Sequence, residues 1–339
     1  MLRLPRFRYL RPKTAREAAQ MAADLGPRAM FVAGGTDLFP KLKRRQFEVE
    51  TLIGLDFLPR QVHNGSAGTI TVDAGVTLAA AAGDEHLNKS FAGYAEAASL
   101  VSSPPLRNAG TIGGNLCVDT RCNYYDMTYE WRKAAGFCIK KDGDICLVAP
   151  SSPRCWAVSS SDTAPMAIAL DGVVNLTGPD GERELPVSAL YRDDGIDYMA
   201  KQPDEIVTSL KLSANQTTST AYVKLRRRGS IDFPIAGAAV ALQLDGDTVV
   251  HCRIVLSAVA SHPLEVTEAE EFLKGKRVDA DTIRQTAEIA AKPAKPLDNA
   301  DLSHFWRKRM VRVIVEQALE KAATRIGGPT VKLLGRNPD

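Results

Sequence analysis

The sequence predicts an α+β protein of several subdomains, and three observations carry that prediction. Its 339 residues exceed what one hydrophobic core usually serves. The first two thirds alternate short β-branched runs with helix-forming stretches and are twice broken by glycine loops, whereas the last third reads as a long hairpin followed by helices. Within the first part lies an irregular stretch, about residues 120 to 160, that holds Cys122, Cys138, Cys146 and Cys155.

The elements follow in order. TAREAAQMAADL, residues 14 to 25, has helical spacing, and Thr14 can cap it. AMFVAGGTDLFPKLKRR is a short strand, a glycine loop and a restarted helix. TLIGLDFL and TITVDAGVTL read as strands, and the Ala-rich 79 to 98 segment as a helix. SSPPLRNAGTIGGNLC is a second glycine loop. Beyond the cysteine stretch, DTAPMAIALDG is a short helix, VVNLTG and EIVTSLKL are strands, and PDGER is a turn. AYVKLRRRG and a hairpin turning at Asp245-Gly246-Asp247 precede helical patterns near 264 to 275, 279 to 291 and 303 to 325. The expected units are an N-terminal βαβ region at 1–56, a central region at 57–215 carrying the cysteine insertion at about 120–160, and a C-terminal α+β domain at 216–339.

Composition excludes several classes. An apolar fraction of 45% and a charged fraction of 24% belong to an ordinary globular chain. A net charge of +3 is too small to imply a nucleic-acid partner, and no basic arm accompanies it. The run Lys41, Lys43, Arg44, Arg45 reads as a solvated face. No stretch approaches the roughly 18 apolar residues of a membrane span, and the start MLRLPRFRYLRP has no apolar leader core, so no membrane partner and a cytoplasmic location are expected. The five histidines (His63, His86, His251, His262, His304) form no metal spacing, and no nucleophilic triad is suggested.

Two loops carry candidate binding chemistry. Phe31-Val32-Ala33-Gly34-Gly35-Thr36-Asp37-Leu38 follows a strand, and paired glycines there let backbone N–H groups approach a phosphate. Thr111-Ile112-Gly113-Gly114-Asn115 again joins backbone donors to Thr and Asn side chains. Each alone reads as a tight turn, and neither is a dinucleotide fingerprint or a Walker loop.

Taken together and in order, FVAGGTDL, RNAGTIGGN, SSDTAPMAIAL and KLRRRG resemble the medium subunits of the xanthine dehydrogenase and carbon monoxide dehydrogenase family over nearly the whole chain. The resemblance implies the FAD-binding fold of the molybdenum hydroxylase medium subunit (PCMH-type) with a C-terminal sheet-and-helix domain. It implies that Phe31 to Leu38 and Thr111 to Asn115 bind FAD, that Asp162 meets the adenosine part, that Lys224 lies near the isoalloxazine, and that Val101 and Val207 flank the flavin. It also implies a large molybdenum cofactor subunit and a small 2Fe-2S subunit as partners. On the residues alone, Asp162 reads equally as a helix cap and Lys224 as a solvated strand residue.

The insertion departs from that family. Members run from GGN through one short turn into the Ser-Asp helix, whereas here roughly forty residues intervene. They contain four of the six cysteines, excluding Cys117 and Cys252. Four thiolates suit zinc or a 4Fe-4S cluster, and the absence of any Cys-x-x-Cys pair disfavours zinc ribbons without deciding the metal. Within the family, this insertion resembles the beta subunits of 4-hydroxybenzoyl-CoA reductases. That likeness implies a 4Fe-4S cluster shielded by Tyr124, Tyr125, Trp131 and Phe137. It also implies a ferredoxin-like donor, with electrons passing through the cluster and FAD towards dehydroxylation on the large subunit. A self-contained flavin oxidoreductase and a binding protein with structural zinc are the other readings.

Overall fold

The computed structural model describes residues 2–65, 68–213 and 218–326. The expected boundary at 215 to 216 and the final residues of the expected C-terminal domain therefore lie outside the described residues.

The N-terminal unit runs β1 (Arg8–Leu10), α1 (Ala15–Leu25), β2 (Ala29–Val32), α2 (Leu38–Lys43) and β3 (Thr51–Gly54). Its three strands are parallel in the order β1-β3-β2. Thr14 starts α1 as expected, its hydroxyl accepting the Glu17 N–H. Strand β1 escapes sequence reasoning because RYL is too short to show a period.

The central unit follows with β4 (Val62–Asn64), β5 (Thr69–Asp73), α3 (Leu78–Gly83), α4 (Glu85–Ser90), α5 (Ala92–Ser99), α6 (Pro104–Ala109), α7 (Ile112–Leu116), α8 (Tyr129–Ala134) and α9 (Thr163–Ala169). It closes with β6 (Val173–Gly178), β7 (Gly181–Pro186) and β8 (Ile206–Ser213). Five strands pair antiparallel in the order β4-β5-β8-β6-β7. The single helix expected over 79 to 98 is broken into three: Asp84 accepts the Leu87 N–H and caps a new helix, and Phe91 leaves the helical conformation (φ -136) before α5. The second glycine loop is also largely helical. Thr111 caps α7, and glycine inside a five-residue helix is tolerated because tertiary packing holds it.

The C-terminal unit consists of β9 (Thr218–Leu225), β10 (Ala236–Asp245), β11 (Thr248–Ser257), β12 (Leu264–Glu265), α10 (Thr267–Leu273), α11 (Ala280–Ala291) and α12 (His304–Arg325). Its antiparallel sheet has the order β12-β11-β10-β9, and the β10–β11 hairpin turns at Gly246 with φ +61. Alternation assigns the faces: Ala238, Val240 and Leu242 pack towards α11 and α12, while Ala239 and Ala241 join the core of the central unit. Burial on both faces explains why AGAAVAL reads as a continuous small-apolar run. Among the described residues no helix is long and apolar enough to cross a membrane.

Candidate functional site

The two glycine loops meet backbone to backbone. A Cβ on Gly34 would lie 1.9 Å from the Ala109 carbonyl oxygen, so only glycine permits this approach. Gly35 has φ +68, and a Cβ there would strike the Phe39 ring. In the second loop the Thr111 hydroxyl accepts the Gly114 N–H at 3.1 Å, and Gly113 donates to Ala74 O at 2.9 Å. These two amides, expected as phosphate donors, are thus engaged within the protein. Gly113 is pressed against Ala74, where a Cβ would sit 2.7 Å from the Ala74 Cβ. Gly114 is different: it is exposed, and a Cβ there would meet only the Thr111 hydroxyl within 4 Å. The junction is thus closed between Gly34 and Ala109 and at Gly113, and open to solvent at Gly114.

Asn115 faces inwards. Its Oδ1 accepts from the Ser161 hydroxyl (2.9 Å), the Thr163 hydroxyl (2.7 Å) and the Thr163 N–H (3.2 Å), which fastens the second loop to the start of α9. Asp162 stands at that helix start but caps nothing with its side chain. Its carboxylate accepts from Tyr222 Oη and from Lys224 Nζ, each at 2.8 Å. The Lys224 side chain has no exposure, so it is not a solvated strand residue. Its ammonium also donates to Leu100 O (2.9 Å) and Asp232 O (2.8 Å). Burial raises the Asp162 carboxyl above the usual range against the pull of Lys224. Lys224 is thereby tied to the residue preceding Val101, which is half-buried against the central core, and Val207 is buried in the same core. Thr208, next to Val207, accepts the N–H of Ala74, the residue beneath Gly113.

Asp37 turns towards the insertion, pairing with Arg121 at 3.1 Å, and burial raises its carboxyl. One turn on, Lys41 is 1% exposed and pairs with Asp119 at 2.8 Å. The basic run is therefore not one solvated face: Lys43 and Arg45 are exposed, but Lys41 points into the protein. Lys140 holds the other Asp119 oxygen at 2.7 Å, and both lysines lie against the Tyr125 ring at 4.6 and 4.8 Å. Burial would raise the Asp119 carboxyl, but Lys140 and Lys41 together outweigh it and hold it at about 2.

All four insertion cysteines are free and buried. Cys122, Cys138 and Cys155 form one cluster with Tyr125 and Ala157, walled by Tyr124, Ile139, Leu147 and Val148. Cys155 also senses the charge of Cys146. The expected aromatic shield is only partly realised, because Trp131 is 43% exposed and Phe137 is half-buried against Tyr129. Burial pushes the Cys122 thiol up to about 12, partly offset by the backbone N–H groups of Tyr124 and Tyr125 directed at it. Burial likewise pushes Cys155 up to about 11, offset in part by the Ala157 N–H, which donates to its sulfur at 3.4 Å. Two glycines that sequence reasoning missed serve this pocket. A Cβ on Gly195 would sit 2.6 Å from the Cys155 sulfur, and one on Gly143 would sit 2.8 Å from the Cys138 nitrogen. Cys117 lies outside the cluster, and Cys252 is buried in the C-terminal core. Among the described residues, no three His, Cys, Asp or Glu side chains close on a single metal ion.

The fold and the apposed loops define an FAD-binding subunit of an oxidoreductase. Residues 5–213 match the FAD binding domain in molybdopterin dehydrogenase, and residues 220–322 match the CO dehydrogenase flavoprotein C-terminal domain; the chain belongs to this family of molybdenum hydroxylase medium subunits. It is 27% identical over 328 residues to the carbon monoxide dehydrogenase medium chain of Hydrogenophaga pseudoflava, covering 95% of this chain and 98% of that one. It is 29% identical over 306 residues to the aldehyde oxidoreductase FAD-binding subunit PaoB of Escherichia coli K12, covering 84% and 92%. The solved structure of carbon monoxide dehydrogenase from Hydrogenophaga pseudoflava superposes with a TM-score of 0.77 at 26% identity, covering 95% of this chain and 99% of that one. The expected PCMH-type fold with a C-terminal domain is therefore the observed one.

Proposed function

We propose that this medium subunit carries a 4Fe-4S cluster on Cys122, Cys138, Cys146 and Cys155 beside its FAD. On this reading it serves a 4-hydroxybenzoyl-CoA reductase type complex, passing electrons from a low-potential, ferredoxin-like donor towards a small 2Fe-2S subunit and a large molybdenum subunit. The observation that carries the reading is a buried pocket of cysteines with backbone N–H groups aimed at two of the sulfurs. Such donors stabilise thiolate ligands and set the reduction potential of the group they hold. Cys122, Cys138 and Cys155 share one buried cluster, and an electron carrier beside a flavin has a use that structural zinc, which carries no electrons, lacks. The flavin exchanges electrons singly or in pairs, which suits a one-electron donor.

The chain's own part is to hold, orient and keep dry. Gly34, Gly35 and the open face at Gly114 shape the phosphate cradle, with Thr36 and Thr111 beside it. Asp162 and Lys224, 2.8 Å apart and buried, act as one support beside the flavin rather than at its two ends, with Val101 and Val207 as apolar flanks. Gly114→Val is expected to fold normally, because a side chain there meets almost nothing, and to lose most of its flavin, because it fills the cradle. Unchanged flavin absorbance per chain would remove this loop from the site.

The test of the cluster is iron and acid-labile sulfide analysis of single Cys→Ser variants of the native complex. The four insertion cysteines should each be required, while Cys117 and Cys252 should not. Retention of iron by Cys122→Ser, or zinc in place of iron, would reject the reading. Gly195→Ala should also lose iron, since its methyl would occupy space held by the Cys155 sulfur; a fully iron-loaded Gly195→Ala protein would show that this contact is dispensable. The electron route is tested by reducing the complex with a low-potential one-electron donor. Flavin reduction should slow in Cys138→Ser, and equal rates in variant and wild type would remove the cluster from the inward path.

A further inference from the structure

We infer that the cluster pocket is completed by the C-terminal domain, with Asn299 as the positioning residue that fixes the Cys122 and Cys155 arms. This rests on the cluster reading given above. Asn299 is buried in the connection between α11 and α12 and reaches the residues that directly follow two of the four cysteines. Its carbonyl accepts the Asn123 N–H at 2.9 Å, and its side-chain amide donates to the Trp156 carbonyl at 2.6 Å. One residue thus spans both ends of the insertion, which are more than thirty residues apart in the chain.

Asn299 is itself held by Arg307, a guanidinium with no exposure and no carboxylate within ion-pairing distance among the described residues. Arg307 donates to Asn299 Oδ1 (3.1 Å), Leu297 O (2.8 Å), Ala258 O (2.6 Å) and Ile235 O (3.2 Å). A buried cation satisfied only by neutral acceptors is a costly device for stability alone. What it fixes is the Asn299 turn together with the Ala258–Ser261 segment, and that second segment also reaches the pocket. Ala260 O accepts the Ser159 N–H at 3.0 Å, and the Ser261 hydroxyl lies 3.5 Å from Cys155 O. Cys138 and Cys146 receive no such support from the C-terminal domain in these contacts. The geometry therefore sets two of the four cysteines apart: Cys122 and Cys155 are tied, through the residues that follow them, to a domain more than a hundred residues further on.

Asn299→Asp tests this in the full chain within its complex. The change is nearly isosteric and keeps an acceptor for Arg307, so folding and flavin content should persist, but it replaces the donor to Trp156 O with a second oxygen. Loss of a group that orients metal ligands weakens metal binding by about 10-fold or more. The variant should accordingly lose its iron–sulfur absorbance to a chelator about 10-fold faster than wild type. Mass-mapped alkylation during that loss should reach Cys122 and Cys155 before Cys138 and Cys146, a pattern that general loosening would not produce. Wild-type bleaching rates, or alkylation without that order, would overturn the inference while leaving the cluster reading intact. A wild-type chain free of iron would overturn both.

Discussion

Replacing Lys224 with Met should destabilise the chain by about 3–5 kcal/mol, the cost of leaving one partner of a buried ion pair without its counter-charge. Lys224 and Asp162 are essentially unexposed, and the lysine also satisfies two carbonyls from different segments, Leu100 and Asp232. Urea unfolding at pH 7 measures the loss. Asp162→Asn added to Lys224→Met should recover part of it, because a neutral amide no longer demands a cation, whereas independent effects would simply add. Burial already raises the Asp162 carboxyl, and without Lys224 it rises further. A carboxyl whose folded value lies above its unfolded value binds more protons in the folded state, so this group's contribution falls as pH rises between the two values. The variant's deficit should therefore be smaller at pH 5 than at pH 8. A loss below about 1 kcal/mol would mean that the Tyr222 hydroxyl suffices for the Asp162 carboxylate without the charge.

Lys41→Met should have a comparable effect on the other side of the glycine loops. Asp119 is buried between Lys140 and Lys41, which hold it at about 2 although burial alone would raise it. Its folded value lies below the unfolded one of about 3.9, so its stabilisation is present above that value and lost as pH falls from roughly 5 towards 2. Removing Lys41 takes away one of the two cations, costs about 3 kcal/mol at neutral pH, and moves acid unfolding to higher pH. An acid titration followed by circular dichroism, variant against wild type, checks the shift. An unchanged midpoint would show that Lys140 alone keeps the carboxylate charged.

The elements with strong local signals were legible: α1 with its Thr14 cap, the glycine turn before α2, the β10–β11 hairpin, and the three C-terminal helices. Short elements were not. Strand β1 has three residues, and the 79 to 98 segment is split by the Asp84 cap and again at Phe91, neither of which shows as a change of helical period. The helical character of α7 was masked by its two glycines and that of α6 by the Pro104-Pro105 pair at its start, which propensity alone would assign to a loop. The cysteine set could be singled out from its confinement to one insertion, but nothing in the spacing pointed to Gly195, Asn299 or Arg307. Each contributes through a contact between residues forty or more positions apart, and such contacts leave no periodicity in the chain.

The sequence by itself determined the order of the units, the two glycine loops and the four clustered thiols, because these depend on local backbone freedom and residue chemistry. Only the tertiary structure decided what those groups touch. It turned Asn115 inwards to the start of α9, locked Asp162 to Lys224, buried Lys41 against Asp119, and closed the cysteine pocket with the C-terminal domain. The reason is physical: buried polar and charged groups must find partners, and which partners they find is settled by the packing of distant segments.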